Sequence, residues 1–135
     1  MQNYKPPGAI KSYRDLVAWQ KGIDLSVLVM SLALKLPPYE AYGLSQQLRK
    51  AAVSVPSNVA EGWGRGTILD YLRFLRVARG SVCEIETQLL IAVRMNYLSH
   101  DLVNDATSLC TECSLVLQGL IYSLERQLKK QTEKE

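Results

Sequence analysis

Cys110 and Cys113 are separated by two residues, the spacing of half a zinc site, and their thiolates would be its soft ligands. A structural site needs four ligands, and the chain offers only Cys83 and His100 besides. Both cysteines also fall within an apolar helical stripe, so they are expected to be core packing residues with no metal bound. His100, the one histidine, has no nucleophile motif beside it and reads as a surface or capping residue. Glu84 and Glu86 are two apart, which on a helix sends them to nearly opposite sides. Glu61 and Glu84 could meet between two helices, where a polar contact is the simpler reading than acid–base work. A di-metal bundle would require Glu-x-x-His on two helices, and there is none. No enzyme, cofactor or metal is expected.

Anion chemistry has more to recommend it. Gly62-Trp63-Gly64-Arg65-Gly66-Thr67 lacks the Gly-Lys-Ser/Thr of a nucleotide loop and follows a helix rather than a strand. It reads either as a tight turn, with glycines supplying positive φ, or as an anion site. In the second case Arg65 would flank the free amides of the next helix. Arg49, Lys50, Arg65, Arg73 and Arg76 cluster around this turn in sequence, and Arg73 and Arg76 share a helix face. Only Asp70 opposes them locally, and the surplus acid falls on the last helix and tail. The cluster is either a solvated face or a stripe that binds an RNA phosphate backbone, multiplied if an oligomer repeats it.

These residues need elements to hold them. The chain has 135 residues, 47% hydrophobic, with a formal net charge of +3, which suits one folded domain and excludes disorder. Three cysteines do not make a secreted disulfide framework, and the N-terminus does not resemble a signal peptide. No apolar run is long enough to span a bilayer, so a cytoplasmic protein away from membranes is expected. Pro6, Pro7 and Gly8 mark residues 1–11 as a flexible arm; residues 12–130 form the folded unit and 131–135 a charged tail.

Ser12, with Asp15 three residues on, can cap a first helix along Leu16, Trp19, Ile23, Val27, Met30 and Leu34. Pro37-Pro38 ends it. A second stripe, Leu44, Leu48, Ala52, Val55, Val59 and Trp63, contains Pro56 and should kink there. Thr67, with Asp70, opens a third helix whose Tyr71, Leu75, Ala78, Val82, Ile85, Leu89 and Ala92 form a heptad seam. Asn96 can close it, and Ser99 or Asp101 can open a fourth along Leu102, Ala106, Leu109, Cys113, Val116 and Leu120. The expected fold is all-α, an antiparallel up-and-down four-helix bundle. Two helices have a second apolar side: Leu25, Leu28, Leu32 and Leu36 on the first, and Ile68, Leu72, Phe74, Val77, Leu90, Ile91 and Val93 on the third. That surplus predicts an oligomer.

The run from Tyr39 to Gly62, with Gly43-Leu44-Ser45-Gln46-Gln47-Leu48-Arg49 and Val55-Pro56-Ser57-Asn58-Val59-Ala60-Glu61-Gly62 at its heart, resembles a known signature. It is that of the small four-helix-bundle proteins encoded in intervening sequences of bacterial 23S rRNA genes, also labelled S23 ribosomal proteins. Leu16 to Lys21 and Ala78 to Glu86 resemble the same family, and the likeness spans about residues 12 to 125. The resemblance implies a ring-shaped homopentamer without enzymatic activity. It also implies a kinship with the accessory variability protein of diversity-generating retroelements, which partners a reverse transcriptase. Within the motifs, Ser54, Ser57, Asn58 and Glu61, with Glu84 on the third helix, form polar positions beside Pro56. They would satisfy the freed carbonyl, cap a helix end, bond across a subunit boundary, or touch RNA. The functional expectation is a non-enzymatic, oligomeric RNA-associated adaptor. The alternative is a protein-scaffolding module that binds no nucleic acid, for example an accessory to a reverse transcriptase.

Overall fold

A computed structural model describes residues 4–134. Four helices, α1 (Val17–Ala33), α2 (Leu44–Gly64), α3 (Ile68–Arg94) and α4 (His100–Lys134), form an up-and-down bundle, with no strand among the described residues. Each helix packs on the next, and α4 closes against α1. Ser45 Oγ donates to the Ala33 carbonyl across α1–α2, and the Ser54 and Ser81 hydroxyls meet at 2.7 Å across α2–α3.

The boundaries follow local chemistry. Thr67 Oγ1 accepts from the Asp70 amide at 3.3 Å, but Asp70 turns its carboxylate to Arg73, so only half a capping box forms. Asn96, at φ 62°, ends α3, and Ser99 Oγ accepts from the Leu102 amide at 3.2 Å as α4 begins. Gly66 takes φ 84° at the α2–α3 turn, whereas Gly62 and Gly64 stay helical. Ser12 and Asp15 do make a full capping box, but on a 3-10 turn, Tyr13–Asp15. The chain then bends at Leu16 and α1 starts one residue later.

The seam of α3 is buried as expected, from Tyr71 to Ala92. α1 is rotated relative to the expected stripe. Its core side carries Ala18, Gly22, Leu25, Val29, Leu32 and Ala33, while Ile23, Val27, Met30 and Leu34 face outward. Small residues decide this: a Cβ on Gly22 would lie 3.3 Å from Pro56, so the glycine side is the one that can approach α2. α4 is rotated about one position from its expected stripe and buries Val103, Ala106, Cys110, Cys113, Leu117, Ile121 and Leu124. It runs on to Lys134, so residues 131–134 of the expected tail are helical, and Glu135 lies outside the described residues. Of the expected flexible arm, residues 1–3 also lie outside them. Tyr4 is fastened: its amide donates to the Gly66 carbonyl at 2.9 Å, and its ring packs edge-on against Trp63 and Tyr71. α2 continues through Pro56 as one helix.

Candidate functional site

The polar family-motif positions form a small network between α2 and α3. The Asn58 amide donates to both the carbonyl and the hydroxyl of Ser54, whose hydroxyl meets Ser81. None of the side chains of Ser54, Ser57, Asn58 or Glu61 donates to the Ala52 carbonyl that Pro56 leaves free, so the expected repair is not what the motif does. It ties two helices together instead. Beside it, Gln47, Lys50, Ser54, Ser81 and Glu84 line a notch of about 170 Å³. Glu61 lies seven residues further along α2 from Ser54, roughly 10 Å away, and binds Arg65, so Glu61 and Glu84 do not meet.

The five basic candidates do not form one stripe. Arg49 donates to the Ala41 carbonyl at 2.9 Å, near the start of α2 and some 16 residues, or roughly 24 Å of helix, from Arg65. Lys50 stays with Glu84 in the notch. Only Arg65 and Arg73 converge, flanking the Phe74 ring at 4.9 and 4.5 Å. Both are also matched by carboxylates: Arg65 with Glu61 at 2.8 Å, and Arg73 with Asp70 at 3.3 Å. Arg76 crosses to Glu125 of α4 at 3.1 Å. These pairs are exposed and contribute little stability, yet they lower the local excess of charge.

The excess sits elsewhere, along the bundle axis. The first half of α4 carries only acid, Asp101, Asp105 and Glu112, whereas its last turns set Arg126, Lys129, Lys130 and Lys134 against Glu125 and Glu133. Antiparallel packing sets those turns beside the start of α3 and the arm. Lys5, Lys11, Arg14, Arg65, Arg73 and Arg76 therefore share this end with them, against Asp15, Glu61, Asp70, Glu125 and Glu133. Reading charge along the chain misses this, because it separates termini that the fold joins. A cleft of about 410 Å³, lined by Tyr13, Ser57, Ala60, Glu61, Gly64 and Arg65, opens at the same end.

Cys110 and Cys113 are core residues, and the described residues contain no cluster able to hold a metal ion. Burial, first, and then Glu86 and the two other thiols push the Cys110 thiol up to about 12; burial likewise raises Cys113 to about 11, with Lys21 acting to lower it and Glu112 and Asp24 to raise it. Both should resist alkylation in the folded protein, while exposed Cys83 reacts, as mass spectrometry after iodoacetamide will read. Because the folded thiols hold their protons above the ordinary value of 9.0, the unfolded chain ionises first. Their contribution to stability is whole below pH 9 and falls away as pH rises towards 11–12. Urea melts across that range check it. Replacing both by Ala should cost about 2 kcal/mol through lost packing.

Most of the α1 stripe that the spacing points to the core faces outward instead. Ile23, Val27, Met30 and Leu34 recur at steps of four, three and four on the outer side of α1, with Val27 63% and Leu34 83% exposed. The signal was present, since α1 is apolar on two sides, but spacing alone does not say which side is inside.

A sequence model of the 23S rRNA-intervening sequence protein family matches residues 14–119. Among solved structures, a protein of unknown function from the S23 ribosomal protein family of Bacteroides thetaiotaomicron is similar in fold. It is 21% identical with a TM-score of 0.73, covering 78% of this chain and 98% of its own. No curated protein matches. No described helix is long and apolar enough to cross a membrane.

Proposed function

The chain belongs to the 23S rRNA-intervening sequence protein family, and on that premise we propose that it is a non-enzymatic adaptor working as a homo-oligomer, a pentameric ring. The observation that carries this reading is the outward row on α1, an apolar heptad that the monomer leaves in water. A helix face of this kind is covered by another helix. Light scattering at micromolar concentration should report five copies; a monomer would overturn the reading.

RNA association is a second reading, favoured by the basic end of the bundle. A ring would present that end five times, so a long strand could touch several subunits at once. Filter-binding titrations of single-stranded RNA should then show weak sequence preference. With three phosphates engaged, affinity should fall roughly twentyfold between 50 and 200 mM salt. Arg73→Glu with Arg76→Glu should weaken binding to every sequence while leaving helical content intact. If wild type binds nothing at low salt, the protein-scaffolding alternative stands, with a partner such as a reverse transcriptase.

A further inference from the structure

The last turns of α4 lie beyond residues 14–119. They build one wall of an open trough of about 470 Å³ against the start of α3. Leu69, Leu72 and Leu128 supply its apolar floor; Arg76, Glu125 and Lys129 stand on its rim. Leu72 is buried, but Leu69 is 49% exposed. Glu125 is already engaged by Arg76 at 3.1 Å, whereas Lys129 has no acidic partner among the described residues. One helical turn beyond Lys129 come Glu133 and Lys134, with Lys130 and Arg126 on the same turns. An apolar slot inside a positive field is the result.

We infer that this trough docks an acidic amphipathic helix of a partner protein. Its apolar side chains enter between Leu69 and Leu128, and its carboxylates meet Lys129 and the neighbouring basic residues. Charge selects the occupant's sign. The leucine floor selects its kind: a nucleic-acid backbone has phosphates for the rim but no apolar side chains for the slot. The inference rests on the adaptor reading and names what the adaptor holds.

The test uses the full chain and a fluorescent synthetic helix of about fifteen residues, with Leu at i, i+4 and i+7 and Glu on its flanks. Anisotropy should show saturable binding in low salt. Leu69→Ser and Lys129→Glu, both at exposed positions, should each weaken it at least tenfold, and a peptide with Lys in place of Glu should not bind. Absence of saturable binding to wild type up to about 1 mM overturns the inference. So does unchanged affinity in both variants. Single-stranded RNA that displaces the peptide and responds to Lys129→Glu but not to Leu69→Ser would make this a phosphate surface and overturn it too. Light scattering on the same samples keeps the two readings apart. A monomer that binds the peptide removes the ring and leaves the trough; a ring that ignores the peptide does the reverse.

Discussion

Replacing Gly62 by alanine should lower the unfolding free energy by about 1–3 kcal/mol, while the same replacement at Gly80 should raise it by about 0.5–1 kcal/mol. Both glycines are inside helices, with ordinary helical backbone. They differ in what surrounds them. A Cβ on Gly62 would stand 2.9 Å from the Phe74 Cβ, 3.1 Å from the Tyr71 ring and 3.2 Å from the Tyr71 carbonyl. Two of those atoms are fixed to the α3 backbone, so no rotamer change relieves the clash. The helices must part here, next to the packing of Tyr4, Trp63 and Tyr71. That loss exceeds the gain in helix propensity. At Gly80, and likewise at Gly119, nothing lies within 4 Å of the added carbon, and only the propensity gain remains. Urea unfolding with unchanged m-values reads both signs. A Gly62 variant as stable as wild type would show that α2 and α3 do not approach so closely. A Gly80 variant that loses stability would show that another chain does.

The glycine contrast also shows what the sequence could and could not disclose. Helix number, order and most caps were legible, because Pro37-Pro38, Thr67, Asn96 and Ser99 act within a few residues of themselves. The α3 seam was legible because its heptad is buried as written. α1 was not, because both its sides are apolar and the choice between them was made by Gly22 lying against Pro56, residues 34 apart in sequence. The Ser12–Asp15 box was legible, but the element it caps was not, since the backbone is extended at Leu16 and separates the 3-10 turn from α1. Charge behaved in the same way. The basic residues near the α2–α3 turn stood out in sequence. Their partition into ion pairs, and the joining of the arm to the end of α4, are properties of antiparallel packing.

Placing glutamate at Val27 and Leu34 together should dissolve the assembly while sparing the bundle. Both side chains are mostly in water in the single chain, so the carboxylates cost the monomer little. In an interface the same carboxylates would be buried without partners, and each would cost several kcal/mol. A penalty of about 3 kcal/mol per contact already weakens association more than a hundredfold. Light scattering should fall to the monomer mass with the helical signal unchanged, and the melting temperature should no longer rise with protein concentration. A ring imposes a further condition: its contacts are head-to-tail, so each subunit needs two different patches. The α1 row is one, and Val77, Leu90 and Ile91, exposed on α3, are candidates for the other. Glutamates at Leu90 and Ile91 should then also give monomers. Mixing the two variants should restore a single good contact and produce dimers that neither forms alone. If instead the Leu90 and Ile91 variant dimerises by itself through its intact α1 row, the contact is two-fold symmetric and the ring is wrong.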